Sequence, residues 1–140
     1  MTLIVDANVA IKWFIRQTDR AKAQEVQQYA GDLFAPTLIV SEVASGLWVY
    51  VKAGPISIDH ARAAVSSMKD CFAVLCADSE LIDAAMVMAA DLNHSPYDCI
   101  YLALAERHNA KFVTADQAFF NTLFKKRRTK NIVMLHQWRP

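Results

Sequence analysis

Residues Ser95 to Asp116 read "SPYDCIYLALAERHNAKFVTAD". The stretch predicts a helix, "PYDCIYLALAERHNA", followed by a short strand, "KFVTA". Both segments are apolar enough for burial. Yet Asp98 stands at the start of the helix and Asp116 just past the strand. A helix cap and a turn residue account for them one at a time. Other carboxylates arriving at the same place would account for them together, and the remainder of the chain bears on that choice.

Strand and helix alternate toward both termini. "TLIVD" is a short apolar run with β-branched residues, the pattern of a strand buried on both faces. "RAKAQEVQQYAG" predicts a helix stopped at Gly31. "LFAP" predicts a second strand, and Pro36 and Thr37 introduce the helix "LIVSEVASGLWVYVKAG", which stops at Gly54-Pro55. The helices "SIDHARAAVSSMKDC" and "SELIDAAMVMAADLN" flank a short strand, "FAVLCA". After "KFVTA", the stretch "QAFFNTLFKKRRTK" is helical at its start and "IVMLH" closes the sheet. No repeat, low-complexity segment or long linker divides the chain. The alternation predicts one α/β domain over residues 1–140, with a mostly parallel sheet covered by helices on both faces.

The composition fits that expectation. At 140 residues, 54% hydrophobic and 21% charged, the chain is globular and of single-domain size. A net charge of +1 means that any nucleic-acid footprint is local. Cys71, Cys76 and Cys99 match neither a zinc site nor a redox pair, and read as reduced, buried thiols of a cytoplasmic protein. No signal peptide is expected, since charge enters at Asp6 and Lys12. No apolar run reaches the roughly 18 residues that span a bilayer.

In open α/β sheets, sites form beyond the carboxyl ends of the strands. Asp6 directly follows "LIV" and Asp116 nearly follows "FVT", so two strands deliver a carboxylate to one edge. Glu42 shares a helix face with Leu38, Ile39 and Gly46. Burying it as an unpaired ion is unfavourable by several kcal/mol. Partial exposure, or an arginine partner, is the plainer account. Asp98 lies three residues after Ser95, the spacing of a capping box, and that device alone would explain it. Ligation is compatible with the same position.

Four carboxylates in one place repel. Two unit charges about 4 Å apart oppose each other by roughly 4 kcal/mol at an effective dielectric near 20. Such a set persists if protons or cations neutralise it. Oxygen donors suit hard divalent ions, which points to Mg²⁺ or Mn²⁺. An acidic metal cluster without a Gly-rich phosphate loop fits phosphodiester hydrolysis better than nucleotide binding.

In these residues the chain resembles the PIN-domain ribonucleases of the VapC toxin type. "LIVDANV" resembles the family's first strand and its aspartate, here Asp6. "PTLIVSEVASGL" resembles the helix carrying its glutamate, here Glu42. "SPYDCIYLALAERHNAKFVTAD" resembles its most specific stretch, with Asp98 and Asp116. The resemblance implies a parallel sheet of order 3-2-1-4-5 and Mg²⁺-dependent endonucleolytic cleavage of RNA, with Asp6, Glu42, Asp98 and Asp116 as catalytic metal ligands. It further implies a homodimer and inhibition by a VapB-type antitoxin. Asn8 and Thr114 occupy positions that in such proteins often support the metal or its water, with helix capping as the alternative for each. Gln117 stands where an additional acid sometimes occurs, which bears on a second metal.

Other features have plainer readings. His60, His94, His108 and His136 form no ligand pair and read as solvated or capping. Asp70, Asp78, Asp83 and Asp91 read as solvated. Met86, Met88, Phe119, Phe120 and Phe124 read as core or interface, and Trp13 and Phe14 as packing or a partner groove. Lys125, Lys126, Arg127, Arg128 and Lys130 make the one charge run, "KKRRTK". It is either a solvated loop guarding a sheet edge or a phosphate-contacting patch for RNA. Two rival functions stand beside the nuclease. One is a haloacid-dehalogenase-type phosphatase with Asp6 as nucleophile, which normally needs an aspartate where Asn8 stands. The other is a non-catalytic PIN-like domain that binds RNA or protein.

Overall fold

Thr2–Val5 forms the central strand, β1, and three of its four side chains are buried. An apolar β-branched tetrapeptide has no polar face to offer solvent, so it is stable only with cover on both sides. The computed structural model describes residues 1–140. Four further strands, β2 (Asp32–Pro36), β3 (Val74–Cys76), β4 (Lys111–Thr114) and β5 (Ile132–Met134), pair with β1 and one another in parallel. The order is β3-β2-β1-β4-β5, as the resemblance implied. β1 therefore lies where the winding reverses, with β2 on one side and β4 on the other. The crevice at the carboxyl ends of β1 and β4 is the topological switch point, where such sheets bind ligands.

Seven helices cover the sheet: α1 (Ala7–Ala10), α2 (Arg20–Gln27), α3 (Leu38–Ala53), α4 (Ile58–Asp70), α5 (Ile82–Leu92), α6 (Pro96–Arg107) and α7 (Gln117–Lys125). In α6 every residue from Cys99 to Ala105 is buried, so this helix is enclosed on all sides. It packs between α5 and the strands β1, β2 and β4. Such enclosure fixes the position of the residue at its N-terminal turn, Asp98.

The start of α3 is fixed from a distance. Asp78 Oδ1 accepts the Leu38 N–H at 2.9 Å, and the Asp78 N–H donates to Thr37 Oγ1 at 3.2 Å. Asp78 is thus a helix cap supplied from after β3, not a solvated residue. Gly46 permits close approach, since a Cβ there would strike the Ile11 side chain. Gly54, at φ +102°, ends α3 in the left-handed conformation. Gly31 does not stop α2, which ends at Gln27. A side chain there would meet the Met1 carbonyl and the Tyr29 ring, just where Asp32 joins β1 through Met1. Two cysteines are buried and Cys71 is half-buried; all three are free thiols. No helix is long and apolar enough to cross a membrane.

Candidate active site

Asp6 leaves β1 in extended conformation and its carbonyl accepts the Val9 and Ala10 N–H groups, so the chain turns straight into α1. Its own N–H donates to Val113 of β4 at 3.1 Å. These bonds pin the residue in the crevice between β1 and β4 with only 6% of its surface exposed. The side chain of Thr114, at the end of β4 and fully buried, donates to Asp6 Oδ2 at 2.6 Å. The same hydroxyl oxygen receives the Asp116 N–H at 3.0 Å and the Asn8 amide at 3.4 Å. Asn8 Oδ1 in turn accepts the Ala115 N–H at 3.0 Å. Asn8 and Thr114 therefore lace the turn after β1 to the turn after β4. Neither caps a helix.

Each remaining carboxylate also has one oxygen held by a protein donor. Tyr101 of α6 donates to Glu42 Oε1 at 2.6 Å. His94 Nε2 lies 2.6 Å from Asp98 Oδ2. In this contact the imidazole N–H donates and the carboxylate oxygen accepts. The ring of His94 rests on Phe119 at 4.6 Å between centroids. The capping-box expectation for Asp98 is half met: Ser95 Oγ accepts the Tyr97 N–H, while Asp98 turns to His94 instead of back to Ser95. Asp116 does cap: its Oδ1 accepts the Phe119 N–H at 3.0 Å at the start of α7.

Charge couples three of the four. Burial pushes the Asp6 carboxyl up to about 7; the Thr114 bond opposes this, and the negative charges of Asp98 and Glu42 add to it. Glu42 is raised chiefly by burial, against the Tyr101 bond, with Asp98 and Asp78 adding. Burial, then the charges of Asp6 and Glu42, place the Tyr101 hydroxyl well above the usual tyrosine range, so it remains a donor. Asp116 joins the group through Thr114 and the backbone, and its carboxylate is engaged with α7.

The donor set fits a hard divalent cation. It is all oxygen, and none of the four carboxylates pairs with a lysine or arginine. No three acidic, histidine or cysteine side chains already converge on one ligating point. The arrangement is an uncompensated acidic crevice, with donors braced behind it, that a cation would draw together.

Tyr101 has no functional reading from sequence, and His94, expected to be solvated or capping, instead is half-buried and bonds Asp98. Tyr101 reads as one more apolar helix residue, and its partner is 59 positions away. His94 had a faint signal, an imidazole four residues before an aspartate at a helix start. The basic run lies elsewhere. It joins the end of α7 to β5, which the parallel pairing of β4 and β5 puts at the amino end of the sheet, opposite Asp6 and Asp116. Arg128 is held by Asp91 at 3.2 Å and Glu106 at 3.0 Å, so neither Arg128 nor Asp91 is simply solvated. Trp13, Met88 and Phe119 are core, whereas Met86 and Phe124 are exposed.

Comparison with known proteins bears on the fold and the family. The chain is 28% identical over 119 residues to Ribonuclease VapC3 of Pyrobaculum aerophilum, an alignment that covers 84% of this chain and 91% of that protein. A crystal structure of a Pyrobaculum aerophilum protein superposes with a TM-score of 0.71 at 20% identity, covering 97% of this chain and 90% of the other. A toxin–antitoxin complex from Klebsiella pneumoniae gives 0.70 at 16% identity, with 95% and 97% covered. The family described as PIN domain matches residues 3–125, nearly the full length of the fold, and the chain belongs to that family.

Proposed function

We propose that the protein is a divalent-metal-dependent endoribonuclease and the toxin of a VapBC-type pair. The carrying observation is Asp6, buried at the β1–β4 switch point and coupled to the charges of Glu42 and Asp98 with no lysine or arginine to offset them. The similarity to a protein named a ribonuclease supports RNA as the substrate. Asp6, Glu42, Asp98 and Asp116 would hold Mg²⁺, or Mn²⁺ in its place. A bound ion supplies charge neutralisation at a phosphoryl oxygen and lowers the pKa of an attacking water. The chain's own part is to hold the carboxylates in place and aimed. Thr114, Tyr101 and His94 each satisfy one oxygen and leave its companion for the ion. Asn8 and Thr114 hold the two sheet-edge turns at a fixed separation.

The structural likeness to a toxin–antitoxin complex supports a protein partner. An apolar groove of about 420 Å³ between α3 and α4, with Trp48 and Ile58 exposed on it, suits the apolar face of an antitoxin helix. Exposed Ile82, Met86 and Val87 on α5 suit a homodimer contact. A cytoplasmic site of action accords with RNA as substrate and with three free thiols.

The test is cleavage of RNA by the purified protein with Mg²⁺, with Mn²⁺ and with chelator. Asp6→Asn and Asp98→Asn should abolish the metal-dependent cleavage while circular dichroism stays unchanged. Expression of the parent without its partner should slow growth, and either substitution should relieve this. Full activity in a folded Asp98→Asn protein removes Asp98 from the ligand set.

A further inference from the structure

Away from the carboxylates, a second concave surface lies between the segment after α1 and the turn joining α3 to α4. It is a cavity of about 530 Å³ whose polar wall comprises Arg16, Arg20, Tyr50, Ser57 and His60. No carboxylate lines it. The nearest acids in sequence are engaged elsewhere, Asp19 with Lys12 and Asp59 with Arg62. Arg16 makes no ion pair and no hydrogen bond and is exposed. Arg20 reaches only the Trp13 carbonyl, at 3.4 Å, and its Nε hydrogen is buried without an acceptor. A buried donor of this kind is unfavourable unless something supplies an oxygen. The hydroxyls of Tyr50 and Ser57 accept from Gln17 and from the His60 N–H, which leaves each a hydrogen to give. His60 Nε2 bonds the Phe14 carbonyl and so ties α4 to the wall beside Phe14.

We propose that this cavity is a phosphate subsite for the RNA strand, a reading that rests on the ribonuclease function above. Two arginines and two hydroxyls without an acid among them are the donor set of an anion site, and guanidinium groups suit phosphate. The position relates it to the carboxylates. Glu42, Gly46 and Tyr50 succeed one another at four-residue spacing on the face of α3 that meets Ile11 and Gln17. From Glu42 to Tyr50 is about 12 Å along the helix axis. A strand whose scissile phosphate lies at the carboxylates therefore has, a few nucleotides away, a basic pocket on the same flank. The Phe14 ring beside the cations adds an apolar surface of the sort that single strands stack upon.

The experiment uses a short 5′-labelled single-stranded RNA, the full chain carrying Asp6→Asn to prevent cleavage, and the same protein with Arg16→Ser added. Arg16 has no partner to lose, so the substitution leaves the fold intact; Arg20→Ser is the companion, judged by whether it folds. Arg16→Ser should weaken binding roughly threefold and reduce the slope of log affinity against log salt by about 0.7, as for one phosphate contact on a single strand. A scan placing one uncharged methylphosphonate at each position should find a linkage that weakens binding to the Arg16 protein and has no effect once Arg16 is serine. An unchanged slope, or identical scans for the two proteins, overturns the subsite. So does a poly-aspartate peptide that binds through Arg16 while RNA binding ignores it, since the pocket then receives protein. Cleavage of the same RNA by the parent with Mn²⁺ keeps the two readings apart. If the parent cleaves and Arg16 is immaterial, only the subsite fails; if the parent neither binds nor cleaves, the ribonuclease reading fails first.

Discussion

Thr114 donates a 2.6 Å hydrogen bond to Asp6 across 108 residues of sequence, and it does so from a fully buried position. The same oxygen receives the Asp116 backbone, so one hydroxyl sets two of the proposed ligands relative to each other.

Thr114→Val keeps the shape and deletes the hydroxyl. Asp6 then loses its donor and the Asp116 N–H its acceptor, both in a buried crevice. The expected loss is about 1–3 kcal/mol of stability, read from urea unfolding. Thr114→Ser should recover most of it. Equal stability of the valine and serine proteins would mean that the hydroxyl carries no weight.

Without divalent ions the protein should become less stable as pH rises. Asp6 titrates near 7 when folded and in the ordinary carboxylate range, near 3.8, when unfolded. Between those values the folded state holds a proton that the unfolded state has released, so stability falls with increasing pH through that window. Glu42 is shifted in the same direction. Thermal melts in chelator at pH 5 and pH 7.5 should show the higher Tm at pH 5. Asp6→Asn should flatten the difference. Millimolar Mn²⁺ should restore stability at pH 7.5, since the ion binds the folded state alone.

Tyr101→Phe and His94→Ala test the braces behind Glu42 and Asp98. Neither residue would touch the ion, so each acts by positioning. The expected outcome is a metal affinity lower by roughly 10- to 100-fold, the range for outer partners of metal ligands, measured by Mn²⁺ titration as well as by cleavage. His94→Gln, which keeps a donor, should lie closer to the parent than His94→Ala. An alanine protein with undiminished Mn²⁺ affinity would make the His94 contact incidental.

Asp116 has a cap to lose as well as a charge. Asp116→Ala removes the acceptor for Phe119 and should destabilise by about 1 kcal/mol in chelator. Asparagine caps nearly as well, so Asp116→Asn should match the parent there. With Mn²⁺ both variants should fall behind, because only the parent binds the ion fully. Equal shifts in every condition would leave Asp116 a cap and nothing more.

RNA length provides a test of the basic run. It lies beyond the far end of α7, a helix about 13 Å long, at the opposite edge of the sheet from the carboxylates. Replacing Lys125, Lys126 and Arg127 with serine should leave the salt slope for a short RNA unchanged and make it shallower for one long enough to pass round α7. Arg128→Ser breaks ion pairs with Asp91 and Glu106 that are partly exposed, and should alter stability by less than about 1 kcal/mol.

The signals that single out the proposed ligands are local. Asp6 and Asp116 each follow an apolar run, and Asp98 opens a helix that is apolar on every side. What the sequence hid is non-local or too short to have a period. Asp78 looks solvated because its partner, Leu38, lies 40 residues away. Tyr101 and Glu42 are 59 positions apart and meet only after α6 has packed against β1, β2 and β4. Four residues of α1 carry no helical repeat, and Gly31 resembles a helix stop while serving a close approach instead. The pairing of Arg128 depends on where two other helices end.

The winding order also sets when the crevice can exist. β1 is made first and can pair with β2 soon afterwards, but its other edge stays open until Lys111–Thr114 has been synthesised. Asp6 therefore waits through 108 residues of synthesis for Thr114, and a nascent chain released before β4 has a half-sheet with an exposed apolar edge. Completion of the acidic crevice is coupled to the arrival of β4, and a product truncated before it has neither the full sheet nor an assembled centre.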